Sequence, residues 1–386
     1  MTARPRNSSK SSFSRDAWLE IDLNAIEHNY RQIREQLGDK KIMAVVKSDA
    51  YGHGASVTAP LLEACGVEYF GVASVDEGIQ LREAGIKKEI LILSPTPTWA
   101  FPRAIQNNLQ ITLSDSHQLD ELTKLAEKTK KKAAENPIEK IKVQIKINTG
   151  MNRNGAKWNT KAPELIKEVL NKKDTFELCG IFSHLACGAE DFFSQVQESR
   201  FNKAISEFDR KELGILHLDA SSLISSSQNT RFDMMRIGLS LYGLGKFGKL
   251  KLRPVLALLA RVSQLQEIES EEAVGYGLTW RAEKDSLIGL LPLGYADGIK
   301  RGLSNRIKGL YKDELIQQVG TISMDQITFD FSQFKDQVKV GDIITLIGKS
   351  DSKEISLNEW SQILNTIDYE IACDLRARLP RVYVRK

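Results

Sequence analysis

The sequence lacks long apolar runs, a strong net charge and an acidic N-terminal segment. No apolar stretch approaches the ~20 residues of a membrane-spanning helix, so we expect no membrane insertion. A net charge of +4 over 386 residues gives no reason to expect binding to nucleic acid or to an anionic membrane. Residues 1–15 contain neither an acidic side chain nor the apolar core of a secretory signal, and we expect them to form a disordered tail.

Cysteine is also scarce. The four cysteines, Cys65, Cys179, Cys187 and Cys373, are widely spaced and match no metal-ligand pattern. Three of them lie among apolar residues. We therefore expect reduced, largely buried thiols of a cytoplasmic protein, and no metal site.

The first two thirds of the chain alternate short β-branched runs with amphipathic segments, which is the pattern of parallel βα units. Eight runs are predicted to be strands: 42–46, 69–73, 90–93, 109–113, 141–147, 178–182, 216–218 and 237–241. Eight units over about 230 residues fit a closed (β/α)8, TIM-like barrel better than an open sheet. The sequence therefore predicts an α/β fold with a barrel over residues 16–252.

The pattern changes near residue 253. Short alternating or apolar runs separated by Gly, Asp and Lys turns indicate a mostly-β second domain over residues 253–386. One helical segment is predicted within it, over residues 357–364.

Lys47 stands at the end of the first apolar run and is followed by a polar, glycine-containing turn. At the mouth of a core an ammonium is poorly solvated, which lowers its pKa and favours the free amine that forms Schiff bases. An arbitrary strand-end lysine more often extends into solvent. In a parallel barrel, however, catalytic groups follow the C-terminal ends of strands, and His184 and Ser221 occupy equivalent positions.

The segment 44–54, which contains Lys47, resembles the lysine motif of alanine racemases. Further matching motifs follow in the same order and extend the resemblance over roughly residues 16–384: 149–153, His184, 236–238, 275–277, 294–298, 324–325 and 366–370. The resemblance implies a barrel enzyme with a β-rich second domain. It also implies pyridoxal 5'-phosphate as cofactor and interconversion of L- and D-alanine, with D-alanine supplied to peptidoglycan.

The resemblance implies two catalytic bases. Lys47 would form the Schiff base and exchange a proton with D-alanine, and Tyr276 of the partner subunit would exchange one with L-alanine. His184, bonded to Arg236, would assist Tyr276. The implied cofactor contacts are Lys47, Tyr51, Arg153, His184, Ser221, Arg236, Gly238, Leu239 and Tyr369. The implied substrate contacts are Arg153, Tyr295, Met324 and Asp325. Because both subunits contribute to each site, a homodimer is implied.

Lys146 matches a lysine that is carbamylated in some members of the family. The alternative is a lysine on the polar face of an alternating strand. Two departures from the family pattern affect the walls of the site: Ala220 replaces an asparagine before the phosphate serine, and Thr321 replaces an arginine that lines the substrate path. Both put the substrate preference in question.

Two other functions are compatible with much of the sequence. One is a racemase of broader specificity, or one for serine or basic amino acids. The other is a non-catalytic pyridoxal-phosphate carrier, which would share the barrel and its lysine. Such carriers lack the second domain, so Tyr276, Met324 and Tyr369 argue against this function.

Overall fold

The computed structural model describes residues 15–132, 140–187, 191–221, 224, 232–245, 247–248 and 250–386. Apart from Arg15, the tail predicted for residues 1–15 lies outside the described residues. The chain divides into two compact units. One is Asn24–Arg253, and the other combines Pro254–Lys386 with the described residues 15–23.

The first strand, β1 (Ala17–Asp22), belongs to the second of these units and is described with it. The strands of the unit Asn24–Arg253 are β2 (Lys41–Val45), β3 (Tyr69–Val72), β4 (Glu89–Ile92), β5 (Ile111–Leu113), β6 (Ile141–Asn148), β7 (Ala156–Lys157), β8 (Phe176–Phe182), β9 (Ile215–His217) and β10 (Met234–Ile237). Its helical segments are α1 (Leu23–Leu37), α2 (Lys47–Tyr51), α3 (Ala55–Ala64), α4 (Val75–Glu83), α5 (Phe101–Gln106), α6 (Ser116–Lys132), α7 (Lys161–Asn171) and α8 (Phe192–Ile205).

Eight of these strands form a closed parallel barrel. Two ladders, β10-β2-β3-β4 and β5-β6-β8-β9, are parallel throughout, and the short β7 pairs with β6 outside them. Gln110 joins the ladders on one side, since its N–H donates to Ile90 O at 2.8 Å and its carbonyl accepts from Ile92 at 3.1 Å. On the other side, Asp233 N–H donates to Leu216 O at 3.0 Å. The predicted (β/α)8 barrel is confirmed.

The helices pack on the barrel through apolar stripes. In α7, for example, Ala162, Leu165, Ile166 and Val169 recur at helical spacing and are buried. The barrel interior is different, because Gln110, Gln144, His217 and Arg236 are buried there beside apolar side chains such as Phe182. Polar groups at this depth need partners within the barrel.

The bounds predicted for the eighth barrel strand, 237–241, were wrong. The strand is Met234–Ile237, and Leu239–Tyr242 forms a 3-10 turn instead of continuing it. The N–H of Gly238 turns to the Ser221 hydroxyl at 3.0 Å, so the ladder ends there. The apolar side chains of Leu241 and Tyr242 are buried in the turn, which is why they resembled a strand.

The second unit is mostly β, as predicted. Its remaining strands are β11 (Leu256–Arg261), β12 (Gln264–Ile268), β13 (Ser286–Leu291), β14 (Lys308–Tyr311), β15 (Glu314–Gln317), β16 (Ile327–Asp330), β17 (Ile343–Lys349), β18 (Glu354–Ile355) and β19 (Arg381–Val384), with helices α9 (Leu357–Leu364) and α10 (Asp368–Asp374). One sheet runs β15-β14-β17-β11-β1-β19, with β18 on β17, and a second runs β12-β13-β16.

Two local features of this unit bear on the sequence predictions. Helix α9 has the predicted bounds, because Ser356 and Glu359 form a capping box at its start and Asn365 adopts a left-handed conformation at its end (φ 52°). Residues 17–22, which the sequence analysis grouped with the barrel, form β1 and pair with β11 and β19.

The cysteines lie nearer the surface than expected. All four lie within the described residues. Cys65 and Cys179 are half-buried, while Cys187 and Cys373 are exposed, so the prediction of largely buried thiols was wrong. Apolar neighbours in sequence do not determine which way a side chain points. None of the helices in the described residues combines the length and apolarity that a bilayer span requires.

Candidate active site

Lys47 lies just after β2, at the C-terminal end of the barrel, and begins a left-handed turn. Ser48, Asp49, Ala50 and Tyr51 have φ angles of 52–55°, which L-residues adopt only at a cost. A left-handed helical conformation costs roughly 1–2 kcal/mol per residue. Four consecutive such residues beside a candidate catalytic lysine indicate strain that the surrounding structure holds in place.

Two carboxylates hold this turn. Glu77 of α4 accepts from the N–H of Ser48 at 2.8 Å and from that of Ala73 at 2.6 Å. Asp49 accepts from the N–H of Ala55 at 2.7 Å. The backbone of the turn is thereby tied to β3, α3 and α4, which leaves Lys47 at its start in a defined position.

Tyr51, Ser221 and Gly238 meet in a small cradle. A Cβ added at Gly238 would lie 2.7 Å from the Tyr51 hydroxyl oxygen, so a larger residue would require the Tyr51 ring to move. The Ser221 hydroxyl oxygen accepts from Gly238 N–H at 3.0 Å and lies 3.4 Å from the Ser240 hydroxyl. Three hydroxyls beside a glycine-containing backbone turn are suited to a phosphate group. Leu239 begins the 3-10 turn beside them.

Arg236, on β10, is 5% exposed and is the centre of the barrel part of the site. Its Nη2 donates to the Ser183 carbonyl (2.8 Å), the Leu218 carbonyl (3.1 Å) and His184 Nδ1 (3.1 Å). Its Nη1 donates to Nδ1 and to the carbonyl oxygen of His217, both at 2.9 Å. Because a guanidinium can only donate, both imidazoles must present an unprotonated Nδ1.

This arrangement keeps His184 neutral. Burial, followed by the charges of Arg236, Lys146, Arg153 and Lys47, lowers the pKa of His184 to about 3. With Nδ1 accepting from Arg236, the proton of the neutral ring lies on Nε2. His184 therefore offers an N–H donor, not a cation.

Lys146, on β6, is 6% exposed and does not lie on a solvated face. Its ammonium donates to the Leu93 carbonyl at 3.4 Å and lies 5.2 Å from the centre of the Phe182 ring. Burial, and then the charges of Arg236, Arg153 and Lys47, lower its pKa to about 7. Arg153 itself is exposed, in the loop after β6.

Tyr276 belongs to the other unit, on a braced but exposed loop. Its side chain is 72% exposed. Asn305 ties the loop down, because its Nδ2 donates to Thr279 Oγ1 at 3.0 Å and its Oδ1 accepts from Gly320 N–H at 2.6 Å. Thr321 stands at the position of the missing arginine. Its hydroxyl oxygen lies 3.2 Å from the hydroxyl oxygen of Thr279.

Tyr295, Met324 and Asp325 lie together in the same unit. The N–H of Tyr295 donates to Ser323 O and the N–H of Ala296 donates to Met324 O, both at 3.0 Å. Asp325 is bound by Arg378, whose Nη2 lies 2.7 Å from its Oδ1. Tyr295, Met324 and Tyr369 are 40%, 53% and 37% exposed, respectively.

Several residues that support this site were not predicted from the sequence. His217, Gln144, Glu77, Asn305 and Arg378 were given no role. Glu77 is the third residue of a helix capped by Ser74, a position that sequence can identify. The others act through contacts distant in sequence, which no local pattern reveals.

A parallel barrel with a lysine after a strand end and a cradle of hydroxyls beside it is an arrangement suited to an enzyme that binds a phosphorylated cofactor. Two family models are more specific: "Alanine racemase, N-terminal domain" matches residues 21–246, and "Alanine racemase, C-terminal domain" matches residues 255–383. The chain belongs to the alanine racemase family, whose members are pyridoxal-phosphate-dependent isomerases.

Relatives and solved structures are similar over nearly the whole chain. An alanine racemase of Nostoc sp. is 37% identical over an alignment that covers 96% of this chain and 97% of the relative. The crystal structure of alanine racemase from E. faecalis has a TM-score of 0.86 and 31% identity, and covers 97% of this chain and 99% of its own. The crystal structure of alanine racemase from Bartonella henselae, with covalently bound pyridoxal phosphate, has a TM-score of 0.83 and 29% identity. The match covers 96% of this chain and 99% of that structure's chain.

The suppressed protonation of His184 predicts a pH-dependent stability. Its folded pKa of about 3 lies below the ~6.5 of an unfolded histidine, so only the unfolded state gains this proton as the pH falls. The contribution is complete above pH 6.5 and is lost as the pH falls towards 3. Between pH 8 and pH 5 it should amount to about 2 kcal/mol of the free energy of unfolding.

Urea unfolding of wild type and His184→Asn at several pH values would measure this. The variant should show a flatter pH dependence, whereas His117→Asn, at an exposed position of α6, should match wild type. Parallel pH curves for wild type and His184→Asn would contradict the burial argument.

Proposed function

We propose that this protein interconverts L- and D-alanine with pyridoxal 5'-phosphate, and that it supplies D-alanine for peptidoglycan in the cytoplasm. The proposal is carried by two proton-transfer groups on different units: Lys47 after barrel strand β2, and the exposed Tyr276 of the β-rich unit. Moving a proton from one face of Cα to the other needs a group on each side. In this assignment Asn24–Arg253 is the cofactor-binding domain, and the other unit supplies the second base.

Lys47 would hold the cofactor covalently, and Tyr51, Ser221, Gly238 and Leu239 would hold its phosphate. The support is the cradle at Gly238, which a Cβ would fill. Bound pyridoxal phosphate makes the Cα proton of an amino acid removable by spreading the charge left behind. Arg236, Arg153, His184 and Tyr369 would complete the cofactor contacts.

Arg236 would determine the proton state of the cofactor's ring nitrogen. Burial lowers the pKa of Arg236 to about 10, partly offset by the charge of Asp219, so it stays cationic at neutral pH. A group that can only donate leaves its acceptor unprotonated. An unprotonated ring nitrogen withdraws electrons less strongly, which disfavours side reactions.

Lys47 would remove and return the proton on the D-alanine side, and Tyr276 of the partner subunit would do so on the L-alanine side. A phenol in water ionises only near pH 10, so Tyr276 needs a hydrogen-bond donor to act as a base. The Nε2–H of neutral His184 is suited to this role. Arg153, Tyr295, Met324 and Asp325 would bind the substrate.

A homodimer would cover the exposed apolar groups beside Tyr276. Leu278 is 58% exposed and Met324 is 53% exposed. The Tyr276 and Met324 segments are neighbours, because Thr279 and Thr321 are bonded to each other. A surface of this kind on a folded unit is typical of protein interfaces.

Lys146 would be carbamylated. Its pKa of about 7 leaves much of the side chain as free amine at neutral pH, the form that attacks carbon dioxide. The adduct would be an anion among the charges of Arg236, Arg153 and Lys47, which now lower that pKa.

Purified protein with pyridoxal phosphate should racemise alanine, read by chiral chromatography on a panel of L-amino acids. Lys47→Ala should abolish both racemisation and the visible absorbance of the bound cofactor, because the covalent attachment is lost. Lys41→Ala, at the other end of β2, should retain both. Comparable conversion of serine or lysine would favour a racemase of broader specificity, and no conversion at all would favour the carrier function.

Tyr276→Phe should separate the two faces of the reaction. Because the enantiomers have equal free energy, racemisation rates cannot reveal the asymmetry, but exchange of the Cα proton in heavy water can. The variant should still exchange the Cα proton of D-alanine through Lys47, while exchange of the Cα proton of L-alanine falls by at least ~100-fold. The control is Tyr311→Phe, at a buried tyrosine bonded to Asp342, and it should exchange the Cα proton of both enantiomers. Equal loss for both enantiomers in Tyr276→Phe would refute the two-base assignment.

Incubation with 13C-labelled bicarbonate should produce a carbamate carbon signal in the NMR spectrum of the protein. The signal should be absent in Lys146→Met, which removes the amine and keeps a long side chain. Its retention in that variant would place the modification elsewhere.

A further inference from the structure

A chain of polar side chains crosses the interior of the barrel from Arg236 to the opposite end. In order it consists of Arg236, His217, Gln144, Gln110, Glu89 and Lys142. The successive distances are 2.9 Å from Arg236 Nη1 to His217 Nδ1, 2.7 Å from His217 Nε2 to Gln144 Oε1, 2.5 Å from Gln144 Nε2 to Gln110 Oε1, 2.8 Å from Gln110 Nε2 to Glu89 Oε2, and 2.6 Å from Lys142 Nζ to Glu89 Oε1.

The position of this chain is unusual. Interiors of (β/α)8 barrels are normally filled by bulky branched side chains. Here Gln144 and His217 are 0% exposed and Gln110 is 2% exposed. Glu89 is the first residue of β4, so the chain ends at the N-terminal ends of the strands, opposite the candidate site.

The direction of every bond follows from the first. Arg236 can only donate, so Nδ1 of His217 is an acceptor and the proton of the neutral ring lies on Nε2. That Nε2–H must donate to an oxygen of Gln144, which points the amide NH2 of Gln144 at Gln110. Gln110 in turn donates to a carboxylate oxygen of Glu89.

All the side-chain dipoles from Arg236 to Glu89 therefore point the same way, from a buried cation to an anion. Bonds aligned head to tail polarise one another and strengthen the chain. Phe182 stacks on His217 with ring centres 4.9 Å apart and planes 6° apart, which holds the imidazole in the plane that this chain requires.

We infer that Gln144, Gln110 and Glu89 are positioning residues for the reaction: their hydrogen bonds hold His217 neutral with its proton on Nε2, and His217 in turn holds the guanidinium of Arg236. The predicted effect of these residues on kcat rests on the proposed function. The protonation of His217 does not, because it can be measured without any enzymatic activity. With the chain broken, Arg236 loses a fixed acceptor and the site loses its alignment.

The first measurement is the 15N NMR spectrum of protein labelled in its five histidines, with and without pyridoxal phosphate. The expected result for His217 is a neutral ring protonated on Nε2 from pH 5 to 8. A His217 protonated on Nδ1, or on both nitrogens, would overturn the inference whether or not the protein racemises alanine.

The second measurement uses two variants of Gln144. Gln144→Leu removes the acceptor of Nε2–H, and should change the His217 signals and lower kcat by about 10–100-fold with little change in KM. Gln144→Glu still accepts from His217 but places an anion beside it. It should favour a doubly protonated His217, which cannot accept from Arg236, and should lower kcat at least as much.

The matched control is Gln118→Leu. Gln118 is a buried glutamine that does not belong to this series of hydrogen-bonded side chains. It is bonded to Ser114 N–H at 2.7 Å and to Thr96 O at 2.9 Å. Its replacement removes a similar number of bonds and should lower stability without altering the His217 signals or kcat. If the Gln144 and Gln118 variants behave alike, Gln144 is merely structural and the inference fails.

Discussion

The buried guanidinium of Arg236 is the constraint on which the barrel part of the site depends. A cation at this depth must find acceptors, and it finds the carbonyls of Ser183, His217 and Leu218 together with Nδ1 of His184 and His217. Since arginine accepts nothing, both imidazoles are held neutral with defined tautomers. The same charge helps to lower the pKa of Lys146. One side chain thus sets the protonation of several neighbours.

Backbone strain provides the second element of the site. The turn that follows Lys47 holds four residues in the left-handed region. Glu77 accepts from the N–H of Ser48 in the turn, and Asp49 of the turn accepts from the N–H of Ala55 in α3. An unstrained turn would let the lysine leave the strand end in other directions. The strain is therefore a means of positioning, maintained by contacts to β3, α3 and α4.

In the β-rich unit the notable feature is a braced loop that carries an exposed tyrosine. Its backbone around Tyr276 is tightly braced: Gly275 and Gly320 have positive φ angles, and a Cβ at Gly320 would lie 2.6 Å from a backbone oxygen. The tyrosine ring itself is exposed. A rigid loop that presents an exposed ring is suited to insertion into another surface, which agrees with the proposed homodimer.

The sequence by itself determined the architecture and the choice of candidate site residues, since period-2 and helical patterns are local and motifs are contiguous. It predicted the βα alternation, helix α9 and the strand-end position of Lys47. Tertiary structure alone decided that β1 joins the second unit, that β10 ends at Ile237 and that the turn after Lys47 is left-handed. It also decided the protonation states. The charges and hydrogen bonds that determine them come from residues such as His217 and Gln144, which are distant in sequence and meet only when the barrel closes.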